Sequence, residues 1–129
     1  MKSTIASILV ALAIVAGATL LAGGWSAEPA IVPGSNITVE NGIQVVAIRA
    51  KGGYAPRTSV AKAGMPTMIR FETSGTFDCS SAMRIPSMDI AKNLPPSGTT
   101  DIDVGVPATG ALQGSCGMGM YPFEVVFER

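Results

Sequence analysis

The chain contains 129 residues, with nine basic and nine acidic side chains and therefore no formal net charge. Charges of both signs are spread along the chain without a basic block, which argues against nucleic-acid binding. Histidine is absent from the sequence, which removes the commonest general base and the Ser-His and Cys-His nucleophile pairs. We therefore expect a protein that is not an enzyme.

Residues 1–27 differ in composition from the rest of the chain. No charged residue occurs from Ile5 to Trp25, and a helix over this run would extend ~31 Å at ~1.5 Å per residue, enough to cross a bilayer core. We expect this helix to be a membrane anchor, with Lys2 inside and the remaining chain exported. The alternative is a signal peptide, cleaved after the small residues 22–24, which would release a secreted or periplasmic protein.

Residues 28–36 are small and contain proline, which is typical of a tether, and residues 37–129 form the predicted domain. Apolar residues in this domain alternate with polar ones; Ile69 and Phe71, for example, share one strand face. The clearest predicted strands are Ile43–Ile48, Thr58–Lys62, Thr67–Thr73, Asp101–Val106 and Phe123–Glu128. Short strands with Gly/Pro turns predict an all-β Greek-key β-sandwich. We expect one helical turn between Ser87 and Leu94.

The sulfur-containing residues carry the clearest chemical signal. Cys116-Gly-Met-Gly-Met120 places one thiol and two thioethers within five residues, and Cys79 lies upstream. Thiolates and thioethers are soft ligands that suit Cu(I), and a blue-copper centre would also need histidines. We predict a Cu(I) site formed by Cys79, Cys116, Met118 and Met120, with Gly117 and Gly119 giving the loop its conformational freedom.

Two alternatives accompany the Cu(I) prediction. Two cysteines in an exported domain can simply form a structural disulfide, giving a β-sandwich binding module without a metal. Methionine also fills hydrophobic cores more often than it binds metals. We assign Met65 and Met68 to packing, and the same interpretation is favoured for Met83 and Met88.

Several short motifs of the exported part resemble cupredoxin-like metal-binding domains. They are Gly53–Pro56, Val60–Gly64, Asp78-Cys79, Pro86, Leu94-Pro95 and Cys116–Tyr121. Together with the N-terminal anchor, the chain is similar to the membrane-anchored Cu(I) chaperones of Gram-positive bacteria. The resemblance implies that the protein captures Cu(I) outside the membrane and exchanges it with a copper-export ATPase. It also implies two ions: a tight one on Cys79 and Cys116, and a looser one on Met118 and Met120 with Cys116 bridging.

Three features depart from the pattern of this family. The strand Gly110–Ser115 lacks the aromatic residues usual before the closing cysteine, a departure that bears on local core packing. Pro122 and Phe123 replace the basic residue and glycine that commonly follow the tyrosine. Met83 and Met88 occupy positions where branched aliphatic residues are frequent, so one of them is a candidate additional ligand.

Overall fold

The structure, a computed structural model, describes residues 36–129. The predicted anchor or signal segment (residues 1–27), its helix, and almost all of the predicted tether lie outside the described residues. Within residues 36–129, no helix is long and apolar enough to cross a membrane.

Residues 36–129 form ten β-strands and two short 3₁₀ helices, Cys79–Ser81 and Pro86–Met88. The strands are β1 (Ile37–Glu40), β2 (Ile43–Ala50), β3 (Tyr54–Ala55), β4 (Thr58–Lys62), β5 (Thr67–Thr73), β6 (Ala82–Ile85), β7 (Ile90–Asn93), β8 (Gly98–Gly105), β9 (Gly110–Cys116) and β10 (Pro122–Glu128). The prediction of an all-β domain is confirmed.

The strands form two five-stranded sheets. The first has the order β1-β2-β5-β8, with β3 also pairing with β2, and the second has the order β4-β10-β9-β6-β7. The pairs β2–β5 and β4–β10 are parallel, and the others are antiparallel. Buried residues of both sheets form one hydrophobic cluster, so the domain is a β-sandwich with its core between the sheets.

The predicted alternation determines which side chains fill this core. In β5, Ile69 and Phe71 are buried, whereas Glu72, the residue after Phe71, is exposed. In β10, Phe123, Val125 and Phe127 are all buried. Burial of one face of each strand supplies the hydrophobic stabilisation of the sandwich.

A buried amide connects the two sheets at one edge. Gln44 of β2 donates from Nε2 to the carbonyl oxygen of Lys62 at 2.9 Å, and its Oε1 accepts from the Lys62 amide at 2.9 Å. Its Nε2 also lies 2.9 Å from Oγ1 of Thr67. Because Lys62 belongs to β4 of the other sheet, the Gln44 side chain joins the edge strand of one sheet to the other sheet.

The helical turn predicted between Ser87 and Leu94 is confirmed only at its start, where Ser87 and Met88 are helical, and was wrong for the remaining residues. The 3₁₀ helix Pro86–Met88 ends at Asp89, whose left-handed φ of 55° reverses the chain. The following residues then pair with β6 as strand β7, in the register Ile85↔Ile90. Pairing with β6 therefore replaces helix in the second half of this segment, and strand β1 was also not predicted.

Candidate metal centre

The structure brings the two predicted cysteines together. Cys79 begins the first 3₁₀ helix and Cys116 ends β9, and the two are joined as a disulfide with their Cα atoms 5.6 Å apart. Cys116 is buried at 1% exposure, and Cys79 is partly buried against the hydrophobic core. The two sulfurs, 37 positions apart in sequence, thus meet where β9 ends.

Hydrogen bonds fix the segment that carries Cys79. The carboxylate of Asp78 accepts from the amides of Gly52 and Ser80, each at 2.8 Å, and from the Ser80 hydroxyl. The Ser80 hydroxyl contributes most to holding the pKa of Asp78 below its usual range, and the two amides add to it. Asp78 therefore acts as the side-chain cap of the 3₁₀ helix and ties it to the turn after β2.

Tyr54 supports the same helix from the core side. Its hydroxyl donates to the Ser80 carbonyl oxygen at 2.9 Å. Burial, with a smaller contribution from the Asp78 charge, raises the pKa of Tyr54 to about 12. The ring also packs edge-on against Phe71 and Phe123, with centroid distances of 6.0 and 4.8 Å. The helix that carries Cys79 is therefore held by a tyrosine whose ring packs against two phenylalanine rings.

The position of the Phe123 ring explains why the strand before Cys116 lacks aromatic residues. Gly114 of β9 lies directly opposite Phe123 of β10, and a Cβ on Gly114 would overlap the Phe123 ring and lie 2.8 Å from the Arg84 carbonyl oxygen. The aromatic side chain missing from β9 is thus supplied across the ladder by β10. The two sequence departures around Cys116 are complementary halves of one packing arrangement.

The loop after Cys116 presents its methionines to solvent. The Gly119 amide donates to the Cys116 carbonyl oxygen at 2.9 Å, and the Cys116 amide donates to the Tyr121 carbonyl oxygen at 3.0 Å. Met118 is 79% exposed and Met120 is 60% exposed. Gly119 has a left-handed φ of 71°, whereas Gly117 does not adopt a left-handed φ. The conformational argument for glycine therefore applies to Gly119 alone.

The other two methionines in question lie in different environments. Met83 of β6 is completely buried and pairs with Cys116 across the β6–β9 ladder. Met88 is 37% exposed and lies beside a small cavity lined also by Val104, Leu112 and Phe127. The expectation that Met83 is a core residue agrees with its burial, and only Met83 adjoins the cysteine pair in the ladder.

The donor set around the cysteines suits a soft metal. Residues 36–129 contain no group of three or more His, Cys, Asp or Glu side chains that could hold a metal ion. The donors that the fold places at this end are two cysteine sulfurs, with thioethers beside them. In the reduced state this set fits Cu(I), whereas hard cations prefer oxygen ligands.

The residues that support Cys79 were not identified from the sequence as functional. Asp78 and Ser80 flank the cysteine, and Asp-x-Ser is a pattern in which an aspartate caps the turn that follows it. That local signal could have been recognised. The role of Tyr54 depends on a contact 26 positions along the chain and has no local signal.

Comparisons with known proteins agree with this architecture. The metal-binding domain of the Cu(I)-exporting P-type ATPase CopA of Streptococcus pneumoniae D39, solved with Cu(I), is 25% identical, with a TM-score of 0.65 over 72% of this chain and 93% of that domain. A copper binding protein solved by NMR in the apo form is also 25% identical, with a TM-score of 0.64 over 71% of this chain and 94% of that one. No curated protein matches the chain significantly. The family model of the cupredoxin-like domain matches residues 9–126, and the chain therefore belongs to the cupredoxin-like domain family.

Proposed function

We propose that this protein is an extracytoplasmic, membrane-tethered Cu(I)-binding protein that sequesters cuprous copper and exchanges it with a copper-export partner. The observation that carries the proposal is the convergence of Cys79 and Cys116 beside a loop that exposes Met118 and Met120. The role is binding and transfer of an ion, without catalysis.

The cysteine pair is the proposed tight site. Cu(I) binds thiolates, so the disulfide must first accept two electrons and two protons from a reductant to give two thiols. Binding of Cu(I) then displaces the thiol protons, and affinity should rise with pH. Because Asp78 and Tyr54 fix the segment of Cys79, little reorganisation is needed for both sulfurs to face one ion.

The loop methionines form the proposed exchange site. Their thioethers carry no proton, lie in solvent, and follow Cys116 by two and four residues. A second, looser Cu(I) held by Met118 and Met120, with Cys116 bridging, would be accessible to an incoming ligand of another protein. We propose up to two ions per chain on this basis.

The proposed partner and location rest on similarity and on sequence. One similar solved structure is the metal-binding domain of a Cu(I)-exporting ATPase, and we propose that a protein of this kind exchanges copper with this chain. Residues 1–27 would hold the domain outside the membrane, as an anchor or, after cleavage, as a removed signal.

A second candidate function is favoured by the disulfide itself. The Cys79–Cys116 bond would also suit a metal-free binding module in which the cysteines only stabilise the fold. The two candidates differ in whether the reduced chain binds Cu(I) through these sulfurs.

Chelator competition on the reduced chain decides between them. We expect Cys79→Ser to abolish tight Cu(I) binding, whereas Met118→Leu with Met120→Leu should remove only the weaker ion and slow its transfer. Met65→Leu is the matched methionine control and should change neither ion. A reduced chain that takes up no Cu(I) would leave the metal-free module as the better account, and a Cys79→Ser variant with unchanged affinity would show that the cysteine pair is not the tight site.

A further inference from the structure

Met83 differs from the loop methionines in its surroundings. It is 0% exposed, whereas Met118 is 79% exposed. It belongs to the same hydrophobic cluster as Cys116, against which Cys79 also packs. One thioether thus lies in the core with the cysteine pair, whereas the loop methionines lie in solvent.

The ladder places the Met83 and Cys116 side chains next to each other. The two residues are direct partners in the antiparallel β6–β9 pair. The Cys116 amide bonds to Tyr121 and its carbonyl oxygen accepts from Gly119, so both polar groups point into the hairpin and away from β6. Met83 and Cys116 therefore form a non-hydrogen-bonded pair, in which Cα atoms lie about 4.5 Å apart and side chains approach most closely.

Cys79 reaches the same point from the same segment of chain. The 3₁₀ helix Cys79–Ser81 leads directly into β6, so four positions separate Cys79 from Met83. The backbone between Cys79 and Met83 is held in place, because the Leu94 amide donates to the Ser81 carbonyl oxygen at 2.7 Å. Cys79 and Met83 thus face Cys116 from one continuous and well-anchored element.

From this juxtaposition we infer that the Met83 thioether is a third sulfur ligand of the tight Cu(I), beside Cys79 and Cys116. The inference rests on the proposed function. A thioether is a soft donor on a flexible side chain with three rotatable bonds, so it can turn toward an ion without moving the strand. It donates a lone pair and releases no proton when the ion binds.

A buried third sulfur separates the tasks of the methionines. Met83 holds the ion from the inside, where no partner can reach, and leaves the solvent side of the cysteines open. The tight site should therefore keep three sulfur ligands when the loop methionines are removed.

The test uses the reduced 129-residue chain carrying Met118→Leu and Met120→Leu, so that the loop supplies no thioether. This parent is loaded with one equivalent of Cu(I), and Met83→Leu and Met88→Leu are each added to it. Met88 is the matched control, because the β6–β9 ladder does not place it beside the cysteines. X-ray absorption on the selenomethionine-labelled chains then reports whether one selenium is bonded to copper, and chelator competition reports affinity.

We expect a copper–selenium contact in the parent and in Met88→Leu, and none in Met83→Leu. Loss of a residue that only orients a metal ligand lowers affinity about 10–100-fold, so Met83→Leu should weaken the tight ion at least ~10-fold. The labelled parent carries native Met83, so this readout does not depend on how well Met83→Leu folds. A parent without a copper–selenium contact would overturn the inference while leaving the cysteine site standing. Unchanged tight binding in Cys79→Ser would instead overturn the proposed function.

Discussion

The packing of Phe123 over Gly114 gives a prediction that the geometry makes quantitative. An alanine Cβ at position 114 would overlap the Phe123 ring and lie 2.8 Å from the Arg84 carbonyl oxygen. The ring can turn aside, but the carbonyl belongs to the neighbouring strand β6 and can move only with its backbone. Overpacking a well-filled core costs about 1–3 kcal/mol of stability. The loss for Gly114→Ala should be near the upper end of this range, at ~3 kcal/mol.

Thermal and urea unfolding of the oxidised chain measure this loss. At roughly 4–8 °C per kcal/mol for a domain of this size, the melting temperature should fall by about 12–24 °C. Gly117→Ala is the matched control, because its Cβ would meet Ala82 at an ordinary contact distance of 3.5 Å. That substitution should be neutral or slightly stabilising, since alanine restricts the unfolded chain more than glycine does.

A double-mutant cycle assigns the loss to the Phe123 ring. In a Phe123→Leu background the ring is absent, and Gly114→Ala should cost at least ~1 kcal/mol less than in the native background. The loss of stability that remains in this background reports the clash between the alanine Cβ and the Arg84 carbonyl oxygen. A Gly114→Ala cost below about 0.5 kcal/mol, or an equal cost in both backgrounds, would refute the claim that the two residues form one packing unit.

Two further predictions concern stability. Gln44→Ala removes both hydrogen bonds to the backbone of Lys62, and because these bonds are only partly buried the urea midpoint should report a loss of about 1–2 kcal/mol; less than ~0.5 kcal/mol would mean that water replaces both bonds. Tyr54 has a folded pKa raised to about 12, so its contribution to stability is full below pH ~10 and is lost as pH rises through ~12. In the oxidised chain, the stability gap between native protein and Tyr54→Phe should narrow by about 1–2 kcal/mol between pH ~10 and ~12; a constant gap would contradict the assignment.

The parts of the fold that were predictable depend on local pattern. Alternation along β5 and β10 identified their buried faces correctly, since each strand needs only its own sequence to show which face is apolar. The segment Ser87–Leu94 has no such pattern. Its second half became strand β7 because β6 provides an edge to pair with, and that partner is not visible locally.

The sulfur donors of the candidate site could be predicted from the sequence, but their arrangement in space could not. The Cys116–Met120 loop carries its chemistry in five consecutive residues. The support of Cys79 by Tyr54, and the packing of Phe123 over Gly114, depend on contacts between distant segments. Met83 shows the same limit: the usual core role of methionine favoured packing, and only the β6–β9 register places it beside Cys116.

The contrast between cysteines and methionines bears on why the loop exists. If the cysteines served only as a structural disulfide, nothing would require the next turn to carry Met118 and Met120. Burying such a side chain would stabilise the fold by about 1.5–3 kcal/mol, yet the fold leaves the two 79% and 60% exposed. The hydrogen-bonded turn that presents them also fixes the backbone of Cys116. A cysteine pair packed against the core beside solvent-exposed thioethers favours the proposed site, which would hold one ion at the cysteines and transfer an ion through the loop.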